Sequence, residues 1–435
     1  MRSKVSGGLV LPEDAGYPQA KQVANVLFDD RRPAAVARCA TVADVQACLA
    51  AAAGRVPVAA RSGGHSYVGN SAPDGGLVMD LSAMSRVRMQ GDQAVVGAGV
   101  RLADLYSAVA ASGRALPGGS CPTVGVAGLT LGGGIGVLSR AYGLTCDRLV
   151  EAQVVTADGT VRTASASSEP DLFWALRGGG GGNFGVVTSF TFATFPAPSL
   201  SAFFIQFPAG AWGELIPAWQ QWVADAPRQL WSMLRIDTGD PAVVFAVGSY
   251  VGDAAGVNRQ LDSLVSEVGH PPVSRVVRSF GYLDAMRYYG GGSGREGFVA
   301  SSRVLVEPLG DPRRLLDLVH AHPGLSLLID AAGGAIGDVG PQDTAFWHRR
   351  ALATVQIYGK ASVSTRDAVT RQVAALGAGL AALGAAGGYI NYLDPALPDW
   401  LTAYYGGNAS RLADVARRYD RERVFTGPGL LNSSL

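Results

Sequence analysis

The sequence predicts an α+β protein, with a mixed α/β region first and an antiparallel sheet covered by helices after it. Two observations support this fold class. Strand and helix patterns alternate through residues 1–198, whereas β-rich runs dominate residues 199–384. Residues 385–435 then carry an aromatic-rich run and one more helix. We expect this C-terminal segment to return to the first domain.

Length and composition limit the classes of function. The chain has 435 residues, 48% hydrophobic and 16% charged, which is enough for two or three cores because single cores rarely exceed about 250–300 residues. The 36 Lys and Arg nearly balance the 35 Asp and Glu, so we expect no nucleic-acid partner. No apolar run reaches the ~20 residues of a membrane helix, and no secretory signal is visible. We therefore expect a soluble, cytoplasmic protein without a membrane partner.

The cysteines and histidines do not form a metal pattern. Cys39, Cys48, Cys121 and Cys146 show neither CxxC pairing nor histidines at zinc spacing, so neither a metal site nor a disulfide scaffold is expected. The five histidines are scattered. Only His65 stands out, because it lies in the glycine-rich run RSGGHS.

The first elements form a strand–helix–strand pattern. An apolar strand at Pro33–Ala40 precedes a helix that Thr41 caps and Gly54 ends. A second strand follows at Val56–Ala60. Such a unit is typical of parallel strands, so Arg61–Ser66 should lie at the carboxyl end of a strand, where ligands of open sheets bind.

The rest of the first domain alternates in the same way. LVMDLSAM and AVVGAGV predict strands, and RLADLYSAVAASGRAL predicts a helix that ends at Gly113. LVEAQVVTADGTVRTA predicts a hairpin turning at Asp158–Gly159. A short helix with Pro170 in its first turn precedes another strand. The domain should end near Pro196–Pro198.

Two glycine clusters predict close approach to a ligand. Gly132, Gly133, Gly134 and Gly136 precede a predicted helix, IGVLSRAYG, so backbone N–H groups and a helix N-terminus could face a pyrophosphate. The alternative is a turn that lets two backbones pack closely. No strand runs into a GxGxxG pattern, which argues against nicotinamide binding. The run Gly178–Gly182 is entropically costly and favours ligand approach over packing.

The second domain, residues 199–384, predicts an antiparallel sheet with helices on one face. Its helices are WGELIPAWQQWVADA and STRDAVTRQVAALGAGLAAL. Its strand candidates are AFFIQF, LWSMLRID, AVVFAVGSYV, PVSRVVRSF, LSLLID and ATVQIYG. In the C-terminal segment, YINY predicts an aromatic-rich strand.

Four ordered motifs together resemble the berberine bridge enzyme-like flavoproteins, in the FAD-linked oxidase family with the vanillyl alcohol oxidase / p-cresol methylhydroxylase (PCMH) fold. The motifs are RSGGHSYVGNS, GGSCPTVGVAGLTLGGGIGVLSRAYGLTCD, LRGGGGGNFGVVTSF, and YINYLDP with YYGGNASRLADVARRYD. The resemblance covers nearly the whole chain. It implies a two-part FAD-binding domain, residues 1–198 and 385–435, around a substrate-binding domain.

The resemblance also implies how the cofactor is held. His65 matches the histidine joined to the flavin 8α-methyl, and Cys121 matches the cysteine joined to flavin C6, so FAD attached at both residues is expected. Val124 matches the position that gates oxygen access, where valine resembles the oxidases. The other matching positions around the flavin are Arg61, Ser62, Gly63, Gly64, Ser66, Gly118, Gly133, Gly134, Gly136, Gly182, Asn183, Gly185, Val187 and Asn391.

Tyr392 matches the tyrosine beside the flavin and is the first candidate for the proton acceptor. A free phenol has a pKa of about 10, so full ionisation at pH 7 would require lowering it by roughly three units, about 4 kcal/mol. Either a cation and the flavin field lower it, or the proton leaves as the hydride departs. Gln356 and Tyr358 fall where relatives place a polar or acidic active-site residue. Because both are neutral, they argue against berberine-bridge chemistry.

The sequence is compatible with three functions of different kinds. The first is an FAD-dependent oxidase of a CH–OH centre in a sugar or glycosylated natural product, with O2 reduced to H2O2. The alternative is a tailoring enzyme for oxidative cyclisation or rearrangement of a secondary metabolite. His65, Cys121 and Tyr392 together argue against a non-catalytic flavin-binding protein. The alanine- and glycine-rich composition with few lysines suits a bacterial natural-product pathway such as antibiotic biosynthesis.

Overall fold

The computed structural model describes residues 5–52, 55–239, 241–292 and 294–425. Its first sheet has the order β1-β2-β4-β3, in which β2, β4 and β3 are parallel and β1 is antiparallel. The elements are β1 (Leu9–Val10), α1 (Tyr17–Ala20), β2 (Ala35–Arg38), α2 (Val42–Ala52), β3 (Val58–Arg61) and β4 (Leu77–Asp80).

The predicted parallel strand–helix–strand unit is confirmed as β2–α2–β3. Strand β3 begins at Val58 and not at Val56, after Pro57, which has no N–H to donate to a ladder. The predicted helix end at Gly54 lies outside the described residues.

A second, five-stranded antiparallel sheet has the order β5-β6-β10-β8-β9. The predicted hairpin is β8–β9, and its turn has Gly159 at φ +75°. The elements of this region are β5 (Val87–Gln90), β6 (Gln93–Gly97), α3 (Leu102–Ala110), β7 (Arg114–Ala115), α4 (Val126–Leu131), α5 (Ser139–Tyr142), β8 (Leu149–Val155), β9 (Val161–Ser165), α6 (Pro170–Ala175), β10 (Val186–Ala193) and β11 (Phe195–Pro196).

The prediction that the glycines at 132–136 open a helix is wrong. Helix α4 precedes them, and helix α5 begins only at Ser139 and has four residues. Gly133 and Gly134 have φ values of +121° and +89°, which are not helical. The segment is therefore a loop between two short helices.

The third sheet has seven antiparallel strands in the order β15-β12-β14-β13-β17-β18-β16. Six of them were predicted. The strands are β12 (Ser199–Gln206), β13 (Leu230–Asp237), β14 (Val243–Val251), β15 (Ser274–Gly281), β16 (Phe298–Leu305), β17 (Leu325–Ala331) and β18 (Ala353–Lys360).

Helices cover one face of this sheet, as predicted. Alternate strand residues such as Ile236, Leu327 and Val355 form a buried core with the helices. The covering helices are α7 (Trp212–Asp225), α8 (Ala254–Val268), α10 (Pro312–His320) and α11 (Arg366–Ala382). Helix α9 (Tyr282–Tyr289) packs instead against α3. Its Tyr282 hydroxyl donates to the carbonyl of Leu116, the residue after β7, at 2.9 Å. The opposite face of the sheet therefore looks toward the first region.

The predicted aromatic strand around YINY is wrong. Residues Ile390–Tyr392 form a 3₁₀ turn, in which the Tyr392 amide donates to the Tyr389 carbonyl. The Tyr389 amide donates to the side-chain hydroxyl of Ser302 on β16 at 2.9 Å and not to a backbone carbonyl of that strand. Helices α12 (Trp400–Tyr405) and α13 (Ala409–Tyr419) follow, and α13 packs against α6. The C-terminal segment thus returns to the first region.

Within the ranges described, none of the helices combines the length and apolar character needed to cross a membrane.

Candidate active site

The RSGGHS loop and the Cys121 loop lie against each other. A Cβ atom on Gly63 would come within 2.2 Å of the Gly125 nitrogen and 2.7 Å of the Thr123 carbonyl oxygen, so only glycine allows this approach. His65 Nε2 lies 2.9 Å from the Thr123 hydroxyl oxygen. The His65 side chain therefore contacts the facing loop at Thr123, two residues after Cys121.

The environment keeps both side chains uncharged near neutral pH. Burial and the nearby Arg101 cation lower the pKa of His65, so its imidazole is neutral with a lone pair on one ring nitrogen. Cys121 is exposed, whereas Cys39, Cys48 and Cys146 are buried. Partial desolvation by the surrounding protein still raises the pKa of the Cys121 thiol, against a hydrogen bond from Ser120.

Two segments present backbone N–H groups that donate to no other described residue. One runs over residues 63–68, directly after β3, and the other over residues 181–185, directly before β10. The hydroxyls of Ser71 and Thr130 are also buried without a partner among the described residues. Buried polar groups are normally paired, so unpaired groups near these loops point to a polar or anionic ligand.

The loop at 132–136 does not present such groups. The amides of Gly133, Gly134 and Gly136 donate to the Thr130 carbonyl, the Tyr389 hydroxyl and the Ser139 hydroxyl at 3.0, 3.0 and 2.9 Å. The predicted anion site is therefore not supported here, because the protein uses these amides itself.

Close packing explains the glycines of this loop. A Cβ on Gly136 would lie 1.8 Å from the Gly118 carbonyl oxygen, and one on Gly134 would lie 2.3 Å from the Thr145 hydroxyl. A Cβ on Gly118 would lie 2.6 Å from the Tyr106 hydroxyl. The structure therefore agrees with the alternative prediction for this glycine cluster, a turn that lets two backbones pack closely.

The predicted positions between 182 and 187 form the turn into β10. Gly182 and Gly185 have φ values of +79° and +146°. Asn183 is buried and donates to the Gly179 carbonyl at 3.1 Å. Val187 is buried opposite Val154 in the sheet.

The polar side chains around His65 are engaged within the protein. Arg61 is buried and its guanidinium lies 2.7 Å from the Asp80 carboxylate. The Ser62 hydroxyl donates to the Ala98 carbonyl at 2.5 Å, and the Ser66 hydroxyl accepts from the Asn70 amide at 3.1 Å. These residues can therefore meet a cofactor mainly through their backbone. Gly64 adds a left-handed turn at φ +70°.

Three tyrosines gather beside these loops. The Tyr67 ring stacks on the Tyr392 ring with centroids 5.2 Å apart and planes 12° apart. Tyr389 meets Tyr392 edge-on at 4.9 Å, and Asn391 donates to the Tyr389 hydroxyl at 2.9 Å. Gln356 Nε2 donates to the Tyr67 hydroxyl at 2.6 Å. Tyr67 was missed, although its place two residues after His65 was a signal.

Burial keeps the phenols protonated. It raises the pKa of Tyr392 and of Tyr67 well above the ordinary value. Tyr67 and Asp330 raise the pKa of Tyr392 further, and Cys121 and Asp330 raise that of Tyr67. The described residues therefore do not supply the lowering that a Tyr392 phenolate would need. Of the two predicted alternatives, this favours proton loss in step with hydride departure.

Tyr358 lies one ring further away. Phe298 stacks on Tyr358 at 5.1 Å and meets Tyr67 edge-on at 5.0 Å, so it lies between them. The Tyr358 hydroxyl donates to Glu296. Gln356 is thus hydrogen-bonded to the group formed by Tyr67, Tyr389 and Tyr392, here called the tyrosine group, whereas the Tyr358 hydroxyl is hydrogen-bonded to Glu296.

Asp330 is an acidic residue that belongs to none of the sequence motifs. It lies on β17 between Met233 of β13 and Thr354 of β18. Burial raises its pKa to about 7, and its charge acts on both Tyr392 and Tyr67. The hydroxyl of Thr354 is buried without a partner among the described residues. The signal was the final Asp of the apolar run LSLLID.

The fold and these loops define an FAD-binding oxidoreductase. Residues 33–165 match the family described as FAD binding domain, and residues 388–428 match the family described as berberine and berberine like. The chain is 33% identical to the FAD-linked oxidoreductase YgaK of Bacillus subtilis, over 98% of this chain and 96% of that protein. The chain therefore belongs to the berberine bridge enzyme-like family of FAD-linked oxidoreductases.

Two further relatives have named substrates. The chitooligosaccharide oxidase of Gibberella zeae is 30% identical, over 96% of this chain and 92% of its own length. The solved structure of the glucooligosaccharide oxidase of Acremonium strictum, described with a 6-S-cysteinyl, 8α-N1-histidyl FAD, is 27% identical with a TM-score of 0.87. It covers 96% of this chain and 95% of its own.

The residues present fit FAD. The unpaired amides at 63–68 and 181–185 and the unpaired hydroxyls of Ser71 and Thr130 suit the phosphates and the polar edge of the flavin. The narrow contact at Gly63 brings the His65 and Cys121 loops together on one side of that space.

Proposed function

We propose that this chain is an oxidase that removes a hydride from a CH–OH centre of a sugar, free or attached to a natural product, and reduces O2 to H2O2. The observation that supports this most is the stacked Tyr67–Tyr392 pair beside the His65 loop, with the Asp330 carboxylate acting on both phenols. The two oligosaccharide oxidases among the relatives support the choice of a sugar.

We further propose that FAD is attached at both His65 and Cys121. The neutral imidazole, the exposed thiol and their adjoining loops support this, as does the doubly linked FAD described for the Acremonium strictum enzyme. Bound flavin would supply hydride acceptance and reoxidation by O2. Val124, partly buried beside the Cys121 loop, is the proposed oxygen gate.

The intact mass of the denatured protein tests the attachment. It should exceed the chain mass by one FAD. His65→Ala and Cys121→Ala should each retain the flavin through the other residue, and the double variant should lose it. Release of all FAD from the denatured wild-type protein would contradict the proposal.

Tyr392 accepts the proton of the substrate hydroxyl as the C–H bond breaks and the hydride leaves. In the same step the phenol proton moves toward the Asp330 carboxylate, because the buried phenol does not ionise beforehand. Thr354, with its unpaired hydroxyl, is placed to bind a substrate oxygen. The organic product is a carbonyl compound, and FAD, when bound, would supply the acceptor for the hydride and pass the two electrons to O2.

Replacing Tyr392 by Phe should slow flavin reduction by about 10²–10⁴-fold, the usual contribution of a positioned proton acceptor. Anaerobic stopped-flow reduction with the best of a panel of mono- and oligosaccharides measures this. Tyr358→Phe, whose hydroxyl is held by Glu296, is the matched control and should stay near wild type. Near-normal reduction by Tyr392→Phe would falsify its role. Absence of peroxide with every sugar, or reoxidation by air only over minutes, would overturn the oxidase proposal.

A further inference from the structure

Arg140 is a buried cation in the N-terminal part of the chain that carries the flavin loops, here called the flavin region. Its side-chain hydrogen bonds go to acceptors in residues 199–384, the part that contains the seven-stranded sheet, here called the sheet region. Its guanidinium donates to the carbonyl oxygens of Leu230 at 2.6 Å, of Ala226 at 2.9 Å, and of Ala332. Arg140 itself lies in α5, on the stretch that begins with the Cys121 loop. One side chain therefore connects the flavin region to three points of the sheet region.

Two of these three carbonyls lie close to Asp330 along the paired strands β13 and β17. Leu230 is the first residue of β13, the strand next to Asp330, and Ala332 directly follows β17, two residues after Asp330. The two strands pair with Met233 opposite Asp330. The position of the Asp330 backbone relative to α5 thus depends on the Arg140 hydrogen bonds.

The surrounding contact is tight. A Cβ atom on Gly334 would lie 2.4 Å from the Arg140 carbonyl oxygen. Val137 lies three residues before Arg140, and its carbonyl accepts a hydrogen bond of 2.8 Å from the buried Ser249 hydroxyl of β14. The segment 137–140 is therefore fixed to the sheet at several points.

We propose that Arg140 is a positioning residue for the reaction: it holds the Asp330 end of β13 and β17 at a fixed distance from the flavin loops. It touches no reacting atom and acts through the two strands. A planar guanidinium can serve three carbonyls in different directions, which a lysine ammonium does less well. The inference rests on the proposed function, since it assumes that Asp330 takes up the proton that Tyr392 passes on.

Replacing Arg140 by Met tests this on the holoenzyme, because it keeps the apolar stem and removes every donor. The rate of flavin reduction should fall by about ten- to a hundredfold at saturating substrate, with covalent flavin retained. Its pH inflection should move below that of wild type, because the unpaired carbonyls admit water that hydrates Asp330. The titratable groups acting with Asp330 are the phenols of Tyr67 and Tyr392, whereas its strand neighbours do not titrate. Arg140→Lys should lie between the two.

Arg114→Met is the matched control, because Arg114 also binds a backbone carbonyl, that of Thr194, away from Asp330. It should leave the pH inflection unchanged. If Arg140→Met does not fold, Ser249→Ala provides the same test and should shift the inflection in the same direction by less. A wild-type pH profile in folded Arg140→Met, or in Ser249→Ala where only that variant folds, overturns the inference. If wild type itself has no inflection that Asp330→Asn removes, the proposed proton path fails as well.

Discussion

At the scale of single residues, the proposed chemistry centres on a buried carboxyl group whose charge acts on two phenols. Asp330 has a raised pKa of about 7 because it is buried, while Tyr392 and Tyr67 remain protonated. A carboxylate in this range is half ionised near neutrality and can both take up and release a proton during turnover. Tyr392 alone could not do this, because its raised pKa keeps the phenol protonated near neutrality.

A pH dependence of flavin reduction follows. Only the ionised Asp330 accepts a proton, and its ionised fraction rises with pH through a pKa of about 7. The reduction rate should therefore increase from pH 5.5 to 8.5 with an inflection near 7, and Asp330→Asn should be slow and free of that inflection. Stopped-flow reduction across this pH range is the measurement. A flat wild-type profile would contradict the role of Asp330.

Candidate site residues that stand in recognisable motifs could be named from the sequence. His65 and Cys121 lie in adjoining loops, and Gln356 reaches the tyrosine group through Tyr67. Asp330 was missed because an aspartate ending an apolar run has the same pattern whether or not it faces a ligand. Burial and register, which decide this, depend on strands distant in the chain.

At the scale of elements, one close backbone contact sets the spacing of the two loops that carry His65 and Cys121. Gly63 lies against the Thr123–Gly125 backbone, and its loop carries the unpaired amides. Any side chain at position 63 must push the two loops apart. This would separate His65 from Cys121, the two proposed attachment points of the flavin.

Gly63→Ala should therefore lower flavin incorporation strongly. A Cβ 2.2 Å from the Gly125 nitrogen meets backbone, which yields less easily than a flexible side chain. The ratio of flavin to protein absorbance in the purified protein measures the loss. Gly128→Ala, on α4 with nothing within 4 Å of its Cβ, should keep full incorporation. Equal flavin content in both variants would show that the close approach is not needed.

Strands and helices with clear periodicity were predictable, and segments whose partners are distant were not. Strand β16 was missed because its centre, Ser301, Ser302 and Arg303, is polar and buried. These side chains are satisfied by the Asp394 carboxylate and by the Tyr392 and Gly377 carbonyls. Likewise, the Tyr389 N–H of the YINY turn donates a hydrogen bond to the Ser302 hydroxyl, which no local pattern indicates.

At the scale of the whole molecule, a buried ion pair fastens the flavin region to the sheet region. Arg349, between β17 and β18, forms two hydrogen bonds of 2.7 and 2.8 Å with Asp147, which ends the Cys121 stretch. Their side chains are 0% and 9% exposed. Removing one partner would leave a buried, uncompensated charge.

Asp147→Asn should destabilise the holoprotein by about 3–5 kcal/mol, as is usual when one member of a buried pair is removed. Chemical denaturation followed by circular dichroism measures it. Asp338→Asn breaks the Arg228 pair, whose side chains are 53% and 55% exposed, and should cost less than about 1 kcal/mol. A loss of similar size in both variants would show that burial of the Asp147 pair adds nothing.

The fold class was predictable because the two halves of the chain differ in their pattern of strands and helices. The proposed domain limits at residues 198 and 384 remain a prediction. The arrangement of the three parts was not accessible from periodicity, because it depends on pairs such as Asp147 with Arg349, which are 202 residues apart.

The Tyr389 hydroxyl accepts hydrogen bonds from the Gly134 and Ile135 amides, which lie 255 and 254 residues earlier in the chain. During synthesis, the glycine loop emerges from the ribosome long before its acceptor. The tyrosine group and the Cys121 stretch therefore come together only after almost the whole chain has been translated. Flavin should consequently bind only to chains that are nearly complete, and chains that end before Tyr389 should contain no flavin and be colourless.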